Sequence, residues 1–311
     1  MEPREEFDVV TGSFGYTGKY VTRRLLAAGR TVKTLTSRPQ SESPFGTAVQ
    51  AEPFCFDQPA RLTETLRGAR TVYNTYWVRF CHGQTTFETA VDNTRTLMRC
   101  AREAGVQRFV HVSITNASAD SPLPYFQGKG ILEEAIKQSG LSYAIIRPAV
   151  VFGPEDILIN NIAWLLRTLP IFGIPGSGEY RLQPILVDDL ADIMVGAGAS
   201  HTNAIIDAVG PDVFTFEEMV RLIRDQIGGR AHILHMPPGL ALLIARVVGR
   251  VVGDVMLTKE ELDGLMSSLL ISDHPATGTV RLGEWLVDHA AGLGSSYSSE
   301  LRRHYSVSLT H

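Results

Sequence analysis

A glycine turn close to its start narrows the folds open to this chain. A five-residue apolar run, Phe7 to Thr11, passes directly into Gly12-Ser13-Phe14-Gly15-Tyr16-Thr17-Gly18, and residues 16–28 then read as a helix closed by Gly29. The glycines recur every third residue, and each has a use. Gly12 permits the tight turn, Gly15 lets backbone approach a phosphate closely, and Gly18 lets the helix pack against the strand. Backbone N–H groups at the helix start then face an anion. Residues 12–18 are therefore expected to cradle the pyrophosphate of a dinucleotide. A glycine turn with no ligand is the competing account.

Beyond this unit, strands alternate with helices. Apolar runs at 31–36, 49–56, 71–75, 108–114 and 143–147 read as further strands, and 59–66, 86–103 and 125–138 as helices. The alternation predicts an α/β, doubly wound parallel sheet of the Rossmann type, with strands buried on both faces. After Pro148 the rhythm changes. The expected division is a dinucleotide-binding domain over 1–155, completed by about 182–210, and a smaller, mostly helical C-terminal lobe formed by 156–181 and 211–311, with a cleft between them. Within that lobe 159–169, 216–227, 240–252 and 259–269 read as helices.

Composition excludes several classes. A net charge of -4 and a pI of about 6.1 leave no electrostatic footprint for nucleic acid. Cys55, Cys81 and Cys100 are scattered and odd in number, which argues against a disulfide framework or a metal site and for free thiols in a reducing cytoplasm. The opening Met-Glu-Pro-Arg-Glu-Glu lacks the layout of a signal peptide. The most apolar stretch, 239–257, carries Arg246, Arg250 and Asp254 and fails as a membrane span. It reads as an amphipathic helix packed on the body of the protein or against a partner, and a membrane-surface helix is the alternative.

The end of the second strand selects the cofactor. NAD binders place a carboxylate there for the ribose diol, whereas this chain has Thr36-Ser37-Arg38. Arg38 can pair with a 2′-phosphate and Ser37 can donate to it, so NADP(H) is favoured over NAD(H). A solvated Arg38 is the alternative. Asp57, after the third strand, suits either an adenine amino group or a helix N-cap.

Tyr125 and Lys129 stand four apart in an expected helix and so share a face. An isolated phenol titrates near ~10. A neighbouring ammonium stabilises the phenolate and makes the tyrosine usable as an acid or base, and Lys129 can also hold ribose hydroxyls.

With both motifs in place the chain resembles the extended, atypical branch of the short-chain dehydrogenase/reductase superfamily. The resemblance rests on TGSFGYTG at 11–18, RFVHVSI at 108–114, YFQGK at 125–129, IIRPAVVFGPED at 145–156 and LQPILVDDLADIM at 182–194. With LTKEELDGLMSSLL at 257–270 it is also similar to the group that includes the accessory NADPH-binding subunit of mitochondrial complex I, and to epimerase/dehydratase-like proteins. The resemblance implies a catalytic Tyr125 and Lys129 with a hydroxyl partner after the fifth strand. Here the sequence departs from the pattern: Ser113 and Thr115 flank Ile114, and a simple register places Ile114 at the hydroxyl position. The resemblance also implies that Asn74, Thr75 and Pro148 to Val151 lie along the cofactor.

Other residues carry less. The run from Tyr76 to His82 suits either a pocket wall or a cap on the core. His111 lies inside an apolar strand and reads as a packed, hydrogen-bonded histidine. Asp188 and Asp189 read as caps of the following helix, and Arg302, Arg303 and His304 as a solvated tip. Two functions follow. One is an NADP(H)-dependent oxidoreductase or epimerase-like enzyme acting on a small carbonyl or hydroxyl compound. The other is a non-catalytic NADP(H)-binding accessory, sensor or assembly protein. A protein partner or a homo-oligomer fits either.

Overall fold

A computed structural model of the protein describes residues 6–83 and 85–304. The residues on which the signal-peptide reading rests fall mostly within 1–5, outside the described residues. The chain divides into two compact units. One runs to Pro148 and is completed by Leu190–Asp207, and the other is Ala149–Asp189 with the chain from Ala208 onward.

The first unit is built from β1 (Phe7–Thr11), α1 (Tyr16–Ala27), β2 (Val32–Leu35), β3 (Val49–Glu52), α2 (Pro59–Leu66), β4 (Ala69–Asn74), α3 (Phe87–Ala104), β5 (Arg108–Val112), α4 (Pro124–Gln138) and β6 (Tyr143–Pro148). These strands form one sheet in the order β3-β2-β1-β4-β5-β6, with the strand Ala204–Ala208 added beside β6. Neighbours from β3 to β6 pair in parallel. Chain order reverses between β1 and β4. In sheets of this kind that reversal opens a crevice at the carboxyl ends of the strands, where ligands bind. All five residues of β1 are buried, as a strand covered on both faces requires. Val9, Leu35, Leu62, Leu66, Val72, Leu97, Phe109 and Ile136 fill one core.

The returning segment is tied in by buried Arg108 on β5. Its guanidinium donates to the carbonyls of Ala197 at 3.1 Å and Thr202 at 2.8 Å. The expected third strand stops at Glu52. Phe54 and Phe56 leave the ladder and stack on each other at 5.0 Å, and both lie against Tyr76.

The second unit has its own core, which includes Phe152, Ile159, Ile174, Met219 and Leu286. The helices Leu158–Thr168, Phe216–Gln226, Pro238–Val252 and Lys259–Met266 fall close to their expected positions, and Leu282–His289 adds another. Three two-stranded pairings accompany them, one of which joins Ile171–Pro175 in parallel to His232–Met236. Two side-chain expectations are corrected here. Asp189 lies within the first turn of its helix, and its carboxylate accepts from the N–H groups of Thr279 and Val280 at 2.6 and 3.0 Å. Arg303 donates to the Glu155 carbonyl at 2.6 Å and so is not simply solvated.

Candidate functional site

The glycine turn sits at the carboxyl end of β1. Gly12 has a φ of +69°, in the region that disfavours a side chain. A Cβ on Gly18 would lie 2.3 Å from the Gly12 carbonyl oxygen, so only glycine lets α1 return this close to the strand. The Gly15 N–H closes the turn onto the Gly12 carbonyl at 2.8 Å. Two threonines brace the loop from outside. Thr34 Oγ1 accepts from the Ser13 N–H at 3.0 Å, and Thr22 Oγ1 donates to Ser13 Oγ at 2.9 Å. Gly15 is the N-cap of α1, and Tyr16 to Lys19 bring no carboxylate to its first turn. The helix start is thus shaped and charged to receive an anion. Phe14 is buried, and Tyr16 and Thr17 open the helix.

Arg38 reaches this turn. Its guanidinium donates to the Phe14 carbonyl at 3.4 Å, while its own N–H bonds Thr36 Oγ1 at 3.1 Å. A half-buried cation is therefore held beside the phosphate loop, with exposed Ser37 next to it. No carboxylate stands at residues 36–38. These residues fit a dinucleotide whose adenosine ribose carries a 2′-phosphate. Asp57 is exposed, and Gln58 rather than Asp57 is the N-cap of α2.

The end of β4 is tied to β1. Thr11 Oγ1 accepts from the N–H groups of Thr75 at 2.7 Å and Tyr76 at 2.9 Å, and donates to Asn74 Oδ1 at 3.1 Å. Thr75 Oγ1 returns a bond to the Thr11 carbonyl. Asn74 Nδ2 donates to His111 Nδ1 at 2.9 Å, which places the imidazole proton on Nε2. Burial first, and then the charge of Lys129, hold His111 well below its usual titration range, so it is neutral. It is the packed, hydrogen-bonded histidine that its strand position suggests.

Tyr125 and Lys129 both lie on α4. Lys129 is 2% exposed. Its ammonium donates to the Val112 carbonyl at 2.7 Å and lies 4.3 Å from the centroid of the Trp77 ring. Burial pushes its titration down to about 7, and the Glu133 carboxylate opposes that shift. Trp77 meets Tyr125 edge-on at 5.8 Å and stacks with Phe87 at 6.0 Å. A Cβ on residue 128 would come 2.9 Å from the indole, so the glycine in Phe-Gln-Gly-Lys is what lets Trp77 lie against α4.

The two hydroxyl candidates are placed differently. Ser113 Oγ donates to Glu133 at 2.5 Å, and the same carboxylate is held by Arg147, whose Nε lies at 2.9 Å. The Ser113 hydroxyl thus serves a buried ion pair two turns along α4 from Tyr125. Thr115 is fully buried, and its N–H bonds the carbonyl of Pro148 at the end of β6. Ser118 donates to the Phe126 carbonyl at 3.4 Å, so the loop after β5 runs beside the first turn of α4, where Tyr125 sits.

The structure thus brings Gly12–Gly18, Arg38, Asn74, Thr75, Thr115, Tyr125, Lys129 and Pro148 to the carboxyl side of one sheet, with Ser113 turned to Glu133. The sequence reading left Trp77 open between pocket wall and core cap, and it missed Glu133, Thr22 and Thr34. For Trp77 a signal existed in the glycine before Lys129. A threonine within a strand carries none.

This fold and glycine turn are those of an NAD(P)-binding Rossmann-type α/β protein. Residues 12–156 match the family described as NAD(P)H-binding. The chain is 26% identical over 285 residues to the NADH dehydrogenase [ubiquinone] 1 alpha subcomplex subunit 9 of Arabidopsis thaliana, spanning 85% of this chain and 71% of that one. It is 25% identical over 237 residues to a ceramide reductase of Caulobacter vibrioides, 74% of each. Among solved structures it resembles a nucleoside-diphosphate-sugar epimerase from Staphylococcus aureus, with TM-score 0.71, 14% identity and coverage of 90% and 99%. It also resembles the UDP-glucose 4-epimerase of Thermus thermophilus in complex with NAD, with TM-score 0.65, 19% identity and coverage of 91% and 98%.

Proposed function

We propose that the protein is an NADP(H)-dependent oxidoreductase or epimerase-like enzyme acting on a small carbonyl or hydroxyl compound, with Tyr125 as the acid/base. The observation that carries this reading is the pairing of Tyr125 and Lys129 on one face of α4, beside the loop that follows β5. Gly12 to Gly18 would hold the pyrophosphate, and Arg38 with Ser37 the 2′-phosphate. Asn74, Thr75 and Pro148 would line the cofactor, and Asp57 is the carboxylate available to the adenine. When bound, the nicotinamide supplies or accepts the hydride. Tyr125 gives or takes the proton at the substrate oxygen. Lys129 favours the phenolate electrostatically. Thr115 or Ser113, which flank Ile114 after β5, would hold the substrate oxygen, and Ser113 already donates to Glu133.

Two observations favour a non-catalytic NADP(H)-binding role instead. The Lys129 ammonium is already engaged by the Val112 carbonyl and the Trp77 ring, and several relatives are subunits of NADH dehydrogenase [ubiquinone]. Two measurements separate the readings. The first is a titration of the protein with NADPH and NADH. The second is NADPH oxidation over a panel of small aldehydes and ketones, for the wild type and Tyr125→Phe. Turnover that drops at least about a hundredfold in Tyr125→Phe supports the enzyme. Turnover indifferent to that change overturns the assigned role. Tight NADPH binding with no turnover on any compound favours the accessory role.

A further inference from the structure

The helix Pro238–Val252 buries only Ala241 and Gly249. Five large apolar side chains on it face outward: Leu240, Leu243, Ile244, Val247 and Val251, with exposures from 41% to 82%. Their spacing of three, one, three and four residues sets them on a single stripe about 100° wide. Arg246 and Arg250, both exposed, border that stripe on one side. Neither arginine has an ion pair among the described residues.

The neighbourhood extends the pattern. The helix packs against the strand Ile171–Pro175, which pairs with His232–Met236. On these strands Ile171 and Leu234 are 47% and 50% exposed. From residue 226 to residue 253 the chain holds no Asp or Glu, although its 33 carboxylates over 311 residues would place about three in such a window. The arginines in the same window are Arg230, Arg246 and Arg250. An apolar stripe edged by two arginines, on a segment without carboxylates of its own, complements a surface that is apolar beneath and anionic above; the Glu217 carboxylate nearby is taken up by His235 at 2.8 Å.

We propose that this face of the second unit docks on an anionic lipid bilayer, with the helix lying in the interface plane. The apolar stripe would enter the acyl boundary, and Arg246 and Arg250 would meet lipid phosphates. No helix among the described residues is long and apolar enough to cross a membrane, so the mode is surface docking. Arg246 and Arg250, which have no ion pair among the described residues, stand one turn apart along the stripe, and a phosphate layer supplies counter-charges along that whole edge.

The test is flotation of the full chain with large unilamellar vesicles, either of phosphatidylcholine alone or of equal parts phosphatidylcholine and phosphatidylglycerol. Binding to the anionic vesicles is expected, at least about tenfold weaker on neutral ones and weakened by salt. Leu243→Glu with Val247→Glu should abolish it, and Arg246→Gln and Arg250→Gln should each weaken it about fivefold. All four positions are exposed, and unchanged circular dichroism and urea melts will show that the variants are folded. No flotation with either vesicle overturns the proposal, as does flotation indifferent to the paired glutamates. Concentration-dependent self-association in sedimentation velocity that the glutamates abolish, without lipid binding, would assign the face to a second copy of the chain.

Discussion

The ammonium of Lys129 lies 4.3 Å from the centroid of the Trp77 ring, in a place where Lys129 is almost wholly withdrawn from water. Burial disfavours its charge, while the ring face and the Val112 carbonyl favour it. The residue proposed to tune Tyr125 is thus itself tuned by a tryptophan from the loop after β4.

This balance predicts a pH dependence of stability. Folded Lys129 titrates at about 7 and an unfolded lysine at about 10.4. Between these values the unfolded chain holds more protons, so the contribution of this group to stability is lowest below pH 7. It rises with pH through the window by at most about 1.4 kcal/mol per pH unit. Lys129→Met should flatten that rise in urea melts taken from pH 7 to 10. Trp77→Leu should move its onset to lower pH, because the charged form loses its ring. Identical pH profiles for wild type and Lys129→Met would refute the assignment.

Asp156 predicts the opposite slope in the second unit. Its Oδ1 accepts from the Ile159 N–H at 2.7 Å, its Oδ2 has no partner among the described residues, and burial raises its titration to about 7. The folded state therefore holds the extra proton between about pH 4 and pH 7. Stability contributed by this group is present below pH 4 and declines as pH rises to 7. Asp156→Asn should remove the decline, and a melt series across that range reads it directly.

Arg38 predicts cofactor choice. Its guanidinium is anchored at the Phe14 carbonyl beside the glycine turn. Arg38→Ala should weaken NADPH binding by about tenfold to a hundredfold, the worth of one or two charge-assisted bonds. NADH binding should change by less than about threefold, since NADH offers that cation no phosphate. Calorimetric titration with both dinucleotides checks this, and equal losses for the two would remove Arg38 from the 2′-phosphate site.

Glu133 predicts a large stability effect. Its carboxylate is 2% exposed and is held by Ser113 and Arg147. Glu133→Gln should cost about 3 kcal/mol, because it leaves the Arg147 charge without its partner. Adding Arg147→Met should recover most of the loss. Failure of that recovery in denaturant melts would show that the pair is not energetically coupled.

Legibility in the sequence differed between the two units. The first unit could be read because its rules are local. A strand buried on both faces is a continuous apolar run, a glycine every third residue announces a close turn, and glycines such as Gly105 stop helices. The strand pair Ile171–Pro175 with His232–Met236 was not legible, because its partners are 61 positions apart by register and lie in Gly- and Pro-rich chain without period-two alternation. Likewise the motif spacing placed Tyr125 and Lys129 on one helix face but left Ser113 and Thr115 unresolved.

The doubly wound sheet, the phosphate turn, the cation at residue 38 and the Tyr125–Lys129 face were all legible in the linear chain: the last three depend on residues within one or two turns, and the sheet on the repeated alternation of strand and helix patterns. The tertiary structure decided what those groups touch. Ser113 is committed to Glu133, Lys129 lies beneath Trp77, His111 is held neutral against Asn74, and the 238–252 helix leaves its apolar stripe uncovered. These outcomes depend on burial and on partners brought together from distant parts of the chain. The desolvation and charge pairing that result are properties of the packed molecule, and no spacing rule encodes them.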